Sequence, residues 1–460
     1  MCEDRRRVCD KEERVMEQKF FRTVCNLAVP VALQSMLQAS FSIIDQVMIG
    51  QLGSVSVAGV GLAGKFSSIF NVVVSAIGAV AGIMISQYMG QKNDREVSRS
   101  FFVNLGAAAG LAVLFMLVSF FLPEQILGLY TKDQATVQTG AGYLFLLGGM
   151  FLPVAGATML SAMLRCMEKA SLPLYASIAA AVLNTGLNYV LIFGHFGFRA
   201  MGADGAAAAT VISQLVNFLI MLVMMLRYRD IFRSGKDRKG SRSGFQWKQY
   251  AAMLMPVLIC EFMWSLGENV YTGIYGHLGT EATAAMTLSN PVQGLLIGAL
   301  CGLSQAAAVI IGKKLGNAEY EEAYQAAKKL LFYGFVGSLV LSACIILSSS
   351  WYVKVYQVEN SVRMFTRYIL IAYAVVAPFK VQNMILGGGV LRSGGKTEYV
   401  MFVDLIGTWI FGVPLGLLSA FVLKLPVHWV YFILSLEECV RFGISVFIFR
   451  KKKWMQRLKS

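Results

Sequence analysis

The chain has 460 residues, 56% of them apolar and only 15% charged, with a formal net charge of +15. Soluble domains carry about 25% charged residues, so the composition excludes a soluble enzyme or soluble binding module. Uncharged stretches of about 20 residues recur along the chain, long enough to cross a hydrocarbon core of about 30 Å, and they lack the short alternating pattern of barrel strands.

Residues 1–22, "MCEDRRRVCDKEERVMEQKFFR", form a charged arm without an apolar leader core or a small-residue cleavage site, and are expected on the cytoplasmic side. Twelve spans are predicted near 23–48, 55–85, 101–122, 137–160, 173–194, 205–227, 250–275, 282–312, 327–349, 364–389, 398–421 and 429–449. In the first, Gln34, Gln38, Ser42 and Asp45 fall at i, i+4, i+8 and i+11, one polar stripe that should face away from lipid. Asp45 lies 23 residues beyond Arg22, about 35 Å along a helix and therefore in the outer half of the membrane. A carboxylate there can exchange H⁺ or Na⁺, or can simply anchor the turn that follows. Spans two and eight hold more Gly, Ser, Asn or Pro than a lipid anchor needs, and bends are expected in them.

Span five carries Asn184 and Asn188 at i, i+4, and span six carries Thr210, Gln214 and Asn217 at i, i+4, i+7. Their oxygens suit Na⁺ or a protonated carboxyl, so Gln34, Asn184, Asn188 and Thr210 are candidate partners of Asp45. Residues 228–249 are a basic linker loop. Beyond it, Glu261 lies about 20 Å into span seven, near the midplane, and Glu268 is two turns further on the same face. Both are candidates for binding cations or cationic substrate, as is Asp404 in span eleven, for which a salt bridge to Lys380 is the structural alternative. Glu437, Glu438 and Arg441 have the spacing of an intrahelical ion pair. The eight cysteines and three histidines show no metal-ligand spacing, and no metal is expected beyond a possible Na⁺ at Asp45, Asn184 and Asn188. No other cofactor is expected.

Lys and Arg cluster in the linker, in the tail "FRKKKWMQRLK" and at Lys92, Arg95, Arg99, Arg165, Lys169, Lys313, Lys314, Lys328, Lys329, Arg392 and Lys396. Twelve spans put all of them on one side, so both termini are expected in the cytoplasm and the chain in the inner (plasma) membrane. The net charge follows from this bias and from anionic inner-leaflet lipid. No nucleic-acid partner is expected.

The chain also repeats itself. A shift of 226 carries Gly50-Gln51-Leu52-Gly53 onto Gly276-His277-Leu278-Gly279, Pro30 onto Pro256 and Gly90 onto Gly316; a shift of 227 carries "LRCMEKAS" onto "LRSGGKTE". Six spans per half is an even number, so the halves are parallel repeats about an axis along the membrane normal. The expected fold is an all-α membrane protein with two pseudo-symmetric six-helix lobes. Its domains are an arm (1–22), lobes (23–227 and 250–449), a linker (228–249) and a basic tail (450–460).

The motifs "P…Q…Q…D…MIGQLG", "P…YGHLGTEA", "LNTGLNYVLIFGHFG", "GADGAAAATVISQ" and "LRSGGKTEYVMFVDLIGTWIFGVPLG" occur in this order. Together they resemble the multidrug and toxic compound extrusion (MATE) family of antiporters, from about residue 20 to 450. The resemblance implies export of organic, often cationic, compounds by alternating access, driven by inward Na⁺ or H⁺. It places the family's span-one acid at Asp45. Some members carry a second acid where this chain has Asn188, which argues against a two-carboxylate scheme in this lobe. The expected partners are small organic molecules and lipid, and the protein is expected to act as a monomer. A lipid-linked oligosaccharide flippase usually has more spans and a more basic cavity. A receptor or scaffold leaves interior acids in several spans unexplained. An intramembrane enzyme would need a nucleophile or metal motif that the sequence lacks.

Overall fold

A computed structural model describes residues 2–228, 245–356 and 358–459. Most of the expected linker, residues 229–244, lies outside the described residues. Lipid offers backbone groups no hydrogen-bond partners, so apolar segments of this length close their bonds internally as helices. The first half contains α1 (Cys2–Gly50), α2 (Ser54–Gly90), α3 (Asp94–Phe121), α4 (Gln134–Cys166), α5 (Ser171–Phe193) and α6 (Ala203–Leu226). The second contains α7 (Trp247–His277), α8 (Thr280–Gly316), α9 (Tyr320–Tyr352), α10 (Asn360–Leu391) and α11 (Thr397–Val422). The charged arm is helical and continuous with the first span.

Among the described residues these 11 helices are long and apolar enough to cross a membrane. The twelfth crossing is divided between α12 (Val427–Ser435) and α13 (Glu437–Arg450), which meet at Leu436. Crossing is required there. Span α11 starts at the end of the molecule that carries the termini, and the tail after α13 returns to that end to bond Gln87 and Gln91 of α2. Glu437, Glu438 and Arg441 lower the hydropathy of this segment and occupy the lobe interior, which is why it does not form one apolar rod.

Helices α2 and α8 are each continuous over 37 residues, and Pro291 lies inside α8. Their small residues allow close approach. A Cβ on Gly59 would lie 2.9 Å from the Gly140 nitrogen, so α2 and α4 touch backbone to backbone. A 3-10 turn at Gly148–Met150 interrupts α4, and π-helical turns interrupt α10 at Met384–Leu391 and α11 at Ile406–Gly412 and Leu418–Val422.

The lobes meet through α1, α2, α7 and α8. A Cβ on Gly302 would strike the Ala28 carbonyl, and Ser35 Oγ lies 3.0 Å from Cys301 Sγ. At the terminal end α2 and α8 cross symmetrically: a Cβ on Gly90 would strike the Lys313 carbonyl, and one on Gly316 that of Gln87. Lys313 pairs with Glu168 across the seam at 2.5 Å. The tail straps the same seam: Gln87 donates to the carbonyls of Ser393 and Gln456 and accepts from the Leu458 amide. In the other half, Gly50, Gly61, Gly64, Gly273, Gly276 and Gly294 face open space.

Candidate functional site

Helices α1 and α5 run parallel, side by side, and two side-chain bonds fix their register. Gln34 Nε2 donates to Ser177 Oγ at 2.8 Å, and Asn188 Nδ2 donates to Asp45 Oδ1 at 2.7 Å; both join residues 143 apart. The i, i+4 spacing of Asn184 and Asn188 brings both amides to this point, and Asn188 donates to Asn184 Oδ1 at 3.3 Å. Turned so that its nitrogen faces the acid, the Asn184 amide lies 3.0 and 3.2 Å from the two carboxylate oxygens. Asn188 is 1% exposed and its Oδ1 is buried without a partner. Tyr143 of α4, also buried, is within electrostatic reach of Asp45. Nothing in the sequence pattern singled it out. Among the described residues, Asp45 has no basic side chain within ion-pair distance.

The other expected partners are not part of this group. Thr210 turns its hydroxyl to the Ala206 carbonyl of its own helix, at 3.0 Å. Gln34 sits three turns from Asp45 and belongs to the α1–α5 packing.

The second lobe is organised differently. Glu261 is held by Arg392, with Nη1 to Oε1 at 3.0 Å, and Arg392 Nη2 donates to Cys260 Sγ at 3.2 Å. This pair joins α7 to the end of α10. Arg392, which the charge pattern assigned to the basic loops, turns into the protein instead. Asp404 does not pair with Lys380. It accepts from Cys260 Sγ at 2.8 Å and lies 3.7 Å from Arg441 Nη1. Arg441 also reaches Glu437 at 3.7 Å, the expected i, i+4 pair, and donates to Thr408 Oγ1. Glu438 pairs with Lys380 at 3.9 Å rather than with Arg441, and accepts from Asn383 at 2.8 Å. Tyr271 donates to Glu437 at 2.5 Å. Glu268 alone of the three expected cation-binding acids has no ion pair among the described residues. It opens onto a cavity of about 210 Å³ lined also by Tyr271, Tyr275, Tyr373, Tyr431, Asn290 and Lys380.

The MatE family model matches residues 30–190 and again 256–418, and the two matches begin 226 residues apart, the period of the internal repeat. The chain belongs to the MATE family of efflux transporters. Among curated relatives, the probable multidrug resistance protein NorM of Bacillus cereus is 24% identical over 89% of this chain and 90% of its own. The uncharacterized transporter YisQ of Bacillus subtilis is 22% identical over 94% of each. The Vibrio cholerae MATE transporter VcmN in the bent form superposes with a TM-score of 0.85 at 17% identity, over 95% of this chain and 97% of that one. An outward-facing multidrug resistance MATE transporter gives 0.84 at 17%, over 94% and 96%. The fold is thus a multi-pass bundle of two repeated lobes shared with MATE transporters.

Proposed function

We propose that this protein exports organic drugs and toxic compounds, cationic ones among them, from the cytoplasm by antiport against Na⁺ or H⁺. In this reading both termini face the cytoplasm, the chain acts as a monomer in the plasma membrane, and the two lobes part toward the outside. The observation that carries the proposal is Asp45, a half-buried carboxylate with two amides for partners and no neutralising cation among the described residues. Such a group can bind a cation or a proton without breaking an existing ion pair. When it is ionised the Asn184 and Asn188 amides donate to it; when it is protonated the Asn184 oxygen can accept its O–H. A Na⁺ would find the carboxylate, the Asn184 oxygen and the orphaned Asn188 Oδ1, a hard oxygen set. A gradient does work only if the ion binds one state more tightly than the other, and opening the lobe to one side and then the other supplies that difference. Glu268, with the tyrosine faces around it, supplies a carboxylate and π-surfaces for cationic compounds.

Dye efflux in everted membrane vesicles, driven in turn by a Na⁺ gradient and a pH gradient, tests this reading and names the ion. Export under one of them is the expected result; no export under either contradicts it.

A further inference from the structure

The tail that straps the seam also walls another cavity, of about 220 Å³, at the terminal end. Three segments line it: the first turn of α7 with Gln249, the start of α11 with Lys396 and Glu398, and the tail with Arg457 and Lys459. The tail is held there by its apolar side. Trp454 is fully buried and Leu458 nearly so; a Cβ on Gly394 would strike the Trp454 carbonyl, and one on Gly395 would lie 2.9 Å from Leu458 Cδ2. Thr397 Oγ1 donates to the Met253 carbonyl at 2.9 Å and fixes the start of α11 against α7.

The lining offers more donors than acceptors. Lys396 pairs with Glu398, also of the lining, at 3.3 Å. Arg457 and Lys459 are exposed and have no ion pair among the described residues. Gln249 Nε2 is buried, and no acceptor among the described residues reaches it. The first turns of α7 and α11 add backbone N–H groups, and neither helix start is capped by a side chain. Two cations, a side-chain amide and two helix N-termini therefore meet at one cavity without a matching acid among the described residues.

We propose that this cavity holds the phosphate of an anionic phospholipid from the leaflet on the side of the termini, and that the bound headgroup pins the tail to the rest of the second lobe. Arg457 can grip two phosphate oxygens at once, Lys459 supplies a point charge, and helix N-termini suit the same group. Trp247 favours a lipid as its source. It begins α7 two residues before Gln249, is 63% exposed and packs edge-on against Phe245. An exposed indole at the start of a membrane span sits at headgroup level. Occupancy also bears on the seam. Arg457 and Lys459 flank Leu458, whose amide donates to Gln87 and whose carbonyl accepts from Gln91; the Lys459 carbonyl accepts from Tyr88. All three partners belong to α2 of the first lobe. A headgroup that orders the tail therefore favours the arrangement of the lobes in which the tail is docked on α2.

The test uses dihexanoyl phosphatidylglycerol, a soluble anionic lipid, with dihexanoyl phosphatidylcholine as the zwitterionic control. Affinities for the purified full-length protein in an uncharged detergent are measured by microscale thermophoresis. The wild type should bind the anionic lipid about tenfold or more tightly than the control. Arg457→Gln should weaken that binding by about tenfold and Gln249→Leu by about threefold. Lys453→Gln, at an exposed basic position of the tail outside the cavity, should leave it unchanged. Equal losses from Lys453→Gln and Arg457→Gln would mean diffuse attraction to a basic tail and overturn the site. Inorganic phosphate should compete weakly. Phosphate that binds as tightly as the lipid, with the same dependence on Arg457, would make this a free-phosphate site and overturn the assignment to lipid. Gln91→Ala tests the link to the seam. Gln91 does not line the cavity, so the loss of its bond to Leu458 can act only through the tail, and lipid affinity should fall by about threefold. An unchanged affinity in Gln91→Ala would overturn that link.

Discussion

The two lobes share a fold and a register but not an interior. A shift of 226 on the first helix and 227 on the fifth carries the Gln34–Ser177 bond of the first lobe onto the Cys260–Asp404 bond of the second. Three turns further out, the same shift carries Asp45 onto Tyr271. In the first lobe the acid at this level meets two amides; in the second a phenol meets Glu437, which Arg441 and its neighbours neutralise. Duplication preserved the frame, and the two copies put their charges to different uses. A carboxylate already matched to a guanidinium is a cross-link, because protonating it leaves a buried cation unpaired. A carboxylate matched only to amides can change charge at small cost.

The contrast is broken most severely at Arg441. It is 7% exposed and stands between Asp404 and Glu437. Arg441→Met should destabilise the protein by about 3–5 kcal/mol, the cost of leaving buried carboxylates without their cation. Thermal unfolding of the purified protein should show this, and adding Glu437→Gln should recover part of the loss. Full stability of the single variant would mean that the second lobe's charges are not cross-links.

The seam between the lobes is where the copies still match. Gly90→Leu and Gly316→Leu each drive a side chain into the partner backbone, at about 1–3 kcal/mol. Both should open the terminal end alike. A cysteine introduced at Ala308, beside a cavity of about 110 Å³ between the lobes, should become reactive to an impermeant thiol reagent applied from that end. If only one variant opens it, the crossing is not symmetric.

Much of this could be read in the sequence. The period of 226 is visible in Gly50-Gln51-Leu52-Gly53 and its echo, and the i, i+4 pair Asn184 and Asn188 points at Asp45 because helix period alone sets which residues share a face. The second lobe was less legible, because its contacts depend on how α7, α10, α11 and α13 are rotated about their axes. Helix period placed Glu261 on the inward stripe correctly but could not show Arg392 arriving from the end of α10. Lys380 lies within reach of either Asp404 or Glu438 by depth alone, and only the packing selects Glu438.

A milder change sharpens the same contrast. Glu261→Gln removes the carboxylate from Arg392 and should cost about 1–2 kcal/mol as a lost charge-assisted bond at a half-buried site. Affinities for cationic and neutral substrates should fall together. A loss confined to cations would make Glu261 a ligand group rather than a cross-link.

Asp45→Asn is the smallest perturbation of structure and the most direct test. The amide keeps the size of the carboxyl and can still bond Asn184 or Asn188, so stability should change by less than about 1 kcal/mol. It cannot take up and release a proton, and it offers Na⁺ a dipole in place of a full charge. Purified and reconstituted in liposomes, the variant should bind substrate normally and show no gradient-driven export. Full coupled export by the asparagine variant would contradict the account, because the coupling ion would then be working through some other group.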